Sequence, residues 1–560
     1  MRTKPARKLW LAAGGAWNPQ SVHHTTAFWG TKNKISNANS FWENKTMEEK
    51  LEKLLSRYRK AVERKQNWEP HWQECYEYAL PQRENVSSDN MYNDFGAKKN
   101  IHLFDGTAPD AVDQLASSLL SELTPPWAHW FGLKAGTELS SEEAAQVSDI
   151  LEKTTDIIIQ NFEHSNFAVE IHQCYLDLVT AGTASLMFEE APIGESSAFH
   201  FYAVPLREIA IEENASGKID TTFRCSTINI EGIKARFPSA EIPAQILERG
   251  SEDNEYKVKL IEAVVPKSSG AIGFGYEYTA FAWDENGGSE DSFIIKEGLF
   301  ETSPFINFRW LKAPGEIYGR SPVMKALPDI KTVNKVVELI LKNASISVTG
   351  IWQADDDGIL NPANIKLVPG AIIPKAVGSK GLTPLEAPGK FDISQLVLED
   401  LRTRINHALL ADRLAQINVP SMTATEVLER SAEVARILGA SFGRLQTELL
   451  TPLLKRAFYI LRRRGDIMNF DLDGRIVDLQ YKSPLAMVQA RKDVSNVSDW
   501  VSMTSALGME GTSAVNMFET AKWLGKTLNV PASLINEESA VEGIASAVSN
   551  MAEGVENGLL

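Results

Sequence analysis

The sequence is poor in cysteine, in long apolar runs and in positive charge, and each shortage argues against a class of protein. Its three cysteines, Cys75, Cys174 and Cys225, lie far apart without paired spacing, which indicates neither a disulfide framework nor a zinc knuckle and fits a reducing compartment. No apolar run approaches the roughly eighteen residues that span a bilayer, so no membrane partner is expected. The formal net charge of -16 argues against tight binding of nucleic acid over the whole surface. Any DNA contact is predicted to be weak or local.

The N-terminal residues differ in composition from the rest of the chain. With 560 residues, of which 43% are hydrophobic, the chain is long enough for several domains. Residues 1–46 hold seven basic residues, one acid and four of the thirteen tryptophans, so their net charge is +6 and the remainder carries -22. We interpret them as a basic, tryptophan-rich arm. It is either disordered, or an over-extended start before an initiator at Met47, or an arm that binds phosphates or a partner through basic and stacking aromatic side chains.

The first half of the chain predicts helices followed by strands. A helix is expected from Met47 to about Tyr78, with an apolar stripe and a charged face. In the segment Leu103–Leu133, Thr107 is expected to cap a helix that Pro125 and Pro126 end. The other predicted elements are helices over Glu142–Phe162 and Ala168–Val179, and strands over Ala184–Phe188, Glu208–Ile211, Ile219–Ile230, Tyr256–Val264, Tyr276–Trp283 and Ser292–Lys296.

The next part predicts a small β-module carried on two helices. Ser321 and Pro322 are expected to begin a helix over residues 321–344, and apolar residues at helical spacing predict another over residues 393–412. Residues 345–391, between them, are rich in proline, glycine and β-forming residues. The expected shape is a small sheet held out on a helical stalk.

A long helix is predicted after a short loop over residues 413–424. Thr423 and Glu426 form a capping box before an apolar run, and apolar residues then recur every three or four positions until Gly465. Three arginines precede that glycine and suit the negative end of the helix. The helix would be roughly 60 Å long. Pro452 should kink it, because proline removes a backbone hydrogen bond and clashes with the preceding turn.

Two short motifs suggest an enzyme, but their context does not support one. Gly439, Ser441 and Gly443 fit the G-x-S-x-G pattern of a nucleophile elbow, yet they fall inside the predicted long helix and not between a strand and a helix. Residues 525–527 resemble the end of a phosphate-binding loop, but Thr520 stands where that motif requires its first glycine. Neither a catalytic serine nor an ATP site is predicted.

Two aspartate clusters leave an enzymatic alternative open. Residues 355–357 and the pair Asp471 and Asp473 each precede a glycine, and such carboxylates could hold two Mg²⁺ ions for phosphodiester hydrolysis. Asp-Gly is also a strong hairpin signal, and we favour turns at both places. The alternative hypothesis is a metal-dependent nuclease. The favoured interpretation has no enzymatic activity, no cofactor and no metal site.

Several long segments, taken in order, resemble one viral protein family. Together they are similar to the head-to-tail connector, or portal protein, of short-tailed, podovirus-type bacteriophages. The resemblance covers about Met47 to Val541, and the basic arm departs from it. The matching segments are Leu103–Leu133, Thr180–Glu189, Gly217–Arg224, Arg309–Ile330 and Thr423–Gly465, the last with its run ELLTPLLKR.

The resemblance implies an α+β, mostly helical subunit with a wing, a stem, a clip and a crown, in which a long kinked helix joins the wing to the crown. It assigns each predicted element to one of these parts. Residues 47–320 would be the wing, 321–344 and 392–412 the stem helices, 345–391 the clip, 413–424 the channel loop, 425–483 the long helix with a hairpin, and 484–560 the crown.

The same resemblance implies a function that depends on the shape and charge of an assembled ring and not on catalysis. Portals form a ring, usually of twelve subunits, at one capsid vertex of the virion. They assemble in the host cytoplasm and pass double-stranded DNA during packaging and ejection. The implied partners are terminase, scaffolding protein, major capsid protein and tail adaptor protein. A tail or ejection-channel protein is a further alternative.

The predicted DNA-contacting residues lie on the channel loop. They are Arg413, Gln416, Asn418 and Ser421. Every neutralised phosphate adds salt-dependent affinity and therefore drag on moving DNA. A few polar or basic side chains would slow the DNA without trapping it.

Overall fold

The computed structural model describes most of the chain between residues 37 and 527. Helices and strands are both present along the described residues, so the predicted mixture of helix and strand is confirmed. The described residues are 37–83, 102–126, 128–136, 138, 141–240, 242–244, 246–248, 256–267, 275–283, 292–349, 352–354, 382–384, 391–414, 439, 441–468, 477–481, 484–507 and 515–527.

Helices flank a β-rich middle region. The helices are α1 (Asn37–Gln66), α2 (Glu69–Ala79), α3 (Thr107–Leu123), α4 (Ser141–Glu163), α5 (Phe167–Ala181), α6 (Ile230–Arg236), α7 (Pro322–Thr349), α8 (Phe391–Ala408), α9 (Ala411–Leu414), α10 (Thr451–Arg464), α11 (Pro484–Ala506) and α12 (Met517–Thr527). The strands are β1 (Phe131–Ala135), β2 (Thr183–Glu190), β3 (Phe199–Val204), β4 (Ile209–Glu213), β5 (Ile219–Asn229), β6 (Lys257–Pro266), β7 (Tyr276–Trp283), β8 (Phe293–Phe300), β9 (Phe305–Arg309), β10 (Trp352–Ala354), β11 (Leu382–Pro384) and β12 (Val477–Tyr481).

The main core surrounds a three-stranded antiparallel sheet in the order β3-β2-β9. Helix α5 leads directly into β2 through Gly182, whose φ of +80° lies in the region that glycine favours. Aromatic rings fill the space beside the sheet, and the Phe188 and Phe201 centroids are 4.3 Å apart. Buried aromatic side chains of this size dominate core energetics. This sheet therefore forms the centre of the main core, against which the helices that follow in the chain pack.

A second, five-stranded antiparallel sheet follows the chain order from β4 to β8. Helix α1 covers one face, where Leu51, Leu54 and Leu55 form a separate buried cluster with Phe223 and Phe281. This stripe at helical spacing was predicted, and its burial is confirmed.

Two predicted details of the first helices are wrong. The helix expected from Met47 to Tyr78 begins at Asn37, within the predicted arm, and is broken into α1 and α2 around Trp68, because Pro70 occupies the first turn of a new helix. Thr107 does not cap α3; instead the Asp105 carboxylate accepts a hydrogen bond from the Thr107 N–H at 3.0 Å.

The two stalk helices also differ from their predicted bounds. Helix α7 continues to Thr349, five residues beyond the predicted end. The helix predicted over residues 393–412 ends at Ala408, and Leu410 has a φ of +59°. The chain changes direction at this point. Leu409 is buried, and the short helix α9 that follows packs on α3.

Parts of the later predictions fall on residues outside the described ranges. These include most of the channel loop, the capping box at Thr423, both aspartate clusters and most of the β-module. Within the described parts, β10 pairs antiparallel with β11 between the stalk helices. The last strand, β12, lies in the region where a hairpin is predicted after the long helix. It pairs with β1, which is distant in the sequence. No helix in the part of the chain that the structure describes is long and apolar enough to cross a membrane.

Candidate functional site: the helical stalk and its buried base

The most distinctive feature of the fold is the pair formed by α7 and α8, which we call the stalk. The two helices pack along each other and carry the β10–β11 pair beyond their far ends. At the near end they bury apolar residues at helical spacing. The buried residues are Val323, Leu327, Ile330 and Val333 on α7, and Leu398, Leu401 and Ile405 on α8.

The far part of the stalk leaves apolar side chains exposed. Leu339 and Leu341 on α7 are each 53% exposed, and Leu396 and Val397 on α8 are 72% and 45% exposed. Among the described residues of one chain, these four side chains stay largely uncovered, whereas Val337 and Ile340 on the inner face of α7 pack against the core. An apolar surface of this kind is typical of a contact with another chain.

Polar contacts fix the near end of the stalk to the base. The Asn334 side chain accepts from the Phe104 and Asp105 N–H groups and donates to the His102 carbonyl at 2.7 Å. From α8, Arg402 Nη2 donates to Asp105 Oδ2 at 2.6 Å. Burial alone would raise the pKa of Asp105, but hydrogen bonds from Thr107 and Arg402 outweigh it and lower that pKa. The stabilisation from Asp105 is therefore present above its unfolded-state pKa and is lost as the pH falls through the lower folded-state value.

A close approach of two backbones fixes the start of α7. Gly319 N donates to Thr183 Oγ1 at 2.8 Å, and Trp310 N donates to the Gly182 carbonyl at 3.0 Å. A Cβ atom on Gly319 would lie 2.1 Å from the Gly182 carbonyl oxygen. Only glycine lets the two segments meet at this distance. Two residues further on, Ser321 Oγ accepts from Met324 N at 2.9 Å, which confirms the predicted helix cap.

The buried side chain of Arg309 joins four segments below the stalk. It is 0% exposed and ends β9. Its Nη2 donates to Glu448 Oε1 at 2.6 Å, and its Nη1 donates to Glu213 Oε1 at 3.1 Å and to the Ile317 carbonyl at 2.8 Å. It also donates to the Gly217 carbonyl at 3.2 Å. Forked, charge-assisted contacts of this kind suit arginine because its guanidinium is planar and rigid.

Glu448 lies in a π-helical turn, Gln446–Leu450, directly before α10. Such turns are rare in proteins, and those that occur are frequently found at functional sites. Pro452 sits in the first turn of α10, so the structure has an interruption of regular helix where the sequence predicts a kink. Thr451 Oγ1 contacts both the Gln446 carbonyl, at 2.8 Å, and the Tyr481 hydroxyl, at 2.7 Å. The turn is therefore held from several sides.

Further along α10, arginines contact strand β2 and the segment between β8 and β9. Arg456 is buried; its Nε donates to the Phe188 carbonyl at 2.6 Å and its guanidinium lies over the Phe300 ring. Burial lowers the pKa of Arg456 to about 10. Arg462 pairs with Glu301, and both Arg463 and Arg464 pair with Glu190. These arginines therefore contact one acid at the end of β2 and one acid between β8 and β9, in addition to the predicted interaction with the helix end.

Comparison with known proteins identifies the family. The sequence description of the family "Bacteriophage head to tail connecting protein" matches residues 51–535, most of the chain. The chain belongs to this family. The resemblance to phage portal proteins is thereby confirmed.

Several phage portal proteins are similar to this chain, and the similarity extends over most of their lengths. A probable portal protein of Bordetella phage BPP-1 is 26% identical over 488 residues, covering 84% of this chain and 85% of its own. The portal protein of Salmonella phage epsilon15 is 23% identical over 544 residues, covering 91% and 95%. Among solved structures, a chain from the neck of an empty gene transfer agent particle has a TM-score of 0.34 and 11% identity, covering 75% of this chain and 90% of that chain.

The predicted DNA-contacting residues of this connector are only partly placed. Arg413 falls in the short helix α9, and Gln416, Asn418 and Ser421 lie outside the described residues. The structure brings together other residues that sequence reasoning missed, above all Arg309 and Glu448. The local signals were an arginine at the end of an apolar strand and a charged residue, Glu448, near a helix-breaking proline.

Among the described residues, the two enzyme-like motifs lack the local structure that their chemistry requires. Gly439, Ser441 and Gly443 lie in helical backbone, and residues 525–527 end α12 without a preceding strand. Within the same described ranges, no group of three histidine, cysteine or acidic residues could hold a metal ion.

Proposed function

We propose that this connector is a portal subunit that assembles into a closed ring of about twelve copies at one capsid vertex. DNA would pass through the axial channel during packaging and ejection. The ring would dock the terminase during packaging and tail adaptor proteins afterwards, and would contact scaffolding and major capsid proteins. The energy for DNA movement would come from the separate terminase motor.

The observation that carries this proposal is the family match over residues 51–535. The stalk supports it, because two packed helices that carry a small strand pair fit the stem and clip of a portal. Under this assignment residues 47–320 form the wing and residues 484–560 form the crown. The apolar side chains exposed on the far part of the stalk fit a contact with neighbouring subunits.

The native mass of the purified protein is expected to match a closed ring of about twelve chains of 62.0 kDa. Mass measurement under native conditions, with negative-stain images of the same sample, checks this result. An axial hole should be visible. A monomer or dimer at every concentration tested would count against the portal assignment.

We also propose that the loop over residues 413–424 faces the channel and approaches the DNA. Replacing Arg413 with alanine should leave ring assembly intact but weaken DNA binding at low salt. Each lost phosphate contact lowers the slope of log affinity against log salt by about 0.9. Binding of short duplex DNA to rings at several salt concentrations measures this slope. Lys53→Ala, on α1 in the wing, serves as the control and should leave the slope unchanged, and equal slopes for both variants would remove Arg413 from the channel.

A further inference from the structure

A cleft of about 790 Å³ opens beside the start of the stalk. Its walls come from the α1–α2 junction, with Arg64, Trp68 and His71, and from the loop before α7, with Ile317 and Arg320. The Arg320 guanidinium lies 5.0 Å from the centre of the Trp68 indole ring. The cleft therefore combines an apolar floor with walls that carry two arginines, Arg64 and Arg320, and one acid, Glu316.

The charge in this cleft is not balanced by the described residues. Arg320 pairs with Glu316, with Nε donating to Oε2 at 2.9 Å. Arg64 is exposed and makes no ion pair or hydrogen bond with any residue in the described ranges. Burial lowers the pKa of His71, and the nearby Arg320 and Lys331 add to this effect. A carboxylate in the cleft would neutralise Arg64.

A second surface feature has the complementary chemistry. The turn between β2 and β3 presents Ile193, which is 98% exposed, and the exposed carboxylate of Glu195. Between them, Gly194 has a φ of +108°, and no atom lies within 4 Å of the place where its Cβ would be. Glu195 makes no side-chain ion pair or hydrogen bond among the described residues. This turn, residues 192–195, projects an apolar side chain and an acid together into open space.

The cleft and the turn cannot meet within one chain, because they lie at opposite ends of β2. At its start, Thr183 contacts Gly319 beside the cleft loop, and at its end Glu190 leads into the turn. Eight residues of extended strand separate the two by roughly 25 Å. A ring of more than two copies needs such a pair, since each interface joins two different patches of the same chain.

We propose that the turn over residues 192–195 of one subunit inserts into the cleft of its neighbour. Ile193 then packs against Trp68 and Ile317, and the Glu195 carboxylate pairs with Arg64. This inference rests on the proposed ring, and it names the contact that links successive wings.

Exchange of charges between two variants tests the contact. Arg64→Glu and Glu195→Arg each place like charges together at every interface, so each variant alone should need an about tenfold higher concentration to form rings. Mixing the two variants should restore assembly at the wild-type concentration. In a ring that alternates the two chains, the native Arg64 and Glu195 meet at one interface. At the next interface the introduced glutamate of one chain meets the introduced arginine of the other, so opposite charges face each other throughout.

Analytical ultracentrifugation of the single variants, the mixture and the wild type measures the assembled fraction. Glu231→Arg, an exposed reversal on α6, is the matched control and should assemble like the wild type. Unchanged thermal unfolding of the separate chains would show that the variants fold. Single variants that assemble normally, or a mixture that fails to recover, would overturn the contact while leaving the portal assignment intact. A wild-type chain that forms no ring would overturn both.

Discussion

Replacing Gly319 with alanine is expected to destabilise the base of the stalk by about 3 kcal/mol or more. The added Cβ would lie 2.1 Å from the Gly182 carbonyl oxygen and 2.9 Å from Arg309 Cβ. Both neighbours resist movement, because one is backbone at a helix-to-strand junction and the other belongs to the fully buried Arg309. The strain would fall on the contacts that position α7. Urea unfolding followed by tryptophan fluorescence measures the effect, since Trp310 adjoins this junction.

Two glycine variants separate the clash from the change of residue type. Gly443 lies in a helix, and nothing lies within 4 Å of its ideal Cβ position, so Gly443→Ala should be neutral or stabilise by up to about 1 kcal/mol. Gly315 has a φ of +84° with open space around it, so Gly315→Ala measures backbone strain alone, about 1 kcal/mol. If Gly319→Ala costs no more than Gly315→Ala, the two backbones are not held as closely as described.

Local sequence signals predict the elements of this fold well where one segment decides its own structure. The stripe of α1, strand β7 and the Ser321 cap each depend on residues within a few positions, and all three agree with the structure. The errors also have local causes. The break at Trp68 follows from Pro70, which the prediction of one continuous helix left out of account.

The base of the stalk could not be predicted in the same way. Arg309 is 139 positions from Glu448 and 96 from Glu213, and Gly319 is 136 positions from Thr183. Periodicity and turn chemistry carry no information about such pairs. The family resemblance supplies the order of the parts and not their contacts. The buried arginine at the end of an apolar strand was visible in the sequence, but its partners were not.

The buried arginine at that base leads to the second large prediction. Arg309→Met is expected to destabilise the protein by about 3 kcal/mol, because removing one partner of a buried ion pair leaves carboxylates without compensation. The loss stays near the lower end of the usual range, since Glu448 keeps Arg444 at 3.0 Å and Glu213 keeps Lys312. Lys342→Met removes an exposed pair with Glu338 and should change stability by less than about 0.5 kcal/mol.

A double-mutant cycle assigns the effect to the contact itself. Glu448→Gln keeps the shape of the side chain but removes its charge, so Arg309→Met should cost less in that background, with a coupling of about 1–3 kcal/mol. Additive losses would place the effect of Arg309 elsewhere. Urea unfolding of the four proteins under one oligomeric state provides the comparison.

The pH dependence of unfolding gives an independent check on the same cluster. Burial alone would raise the pKa of Glu213, but hydrogen bonds from Lys312 and Arg309 outweigh it and hold that pKa below its usual value. Glu213 therefore stabilises the fold fully above its unfolded-state pKa of about 4.3, and this contribution is lost as the pH falls through the lower folded-state pKa. Without Arg309 the folded-state pKa moves upward, so the loss between neutral and acidic pH should be smaller in Arg309→Met than in the wild type. An identical pH dependence in both proteins would mean that Arg309 does not stabilise the charged form of Glu213, and the packing of β9 against the π-helical turn would then have to hold the base of the stalk without it.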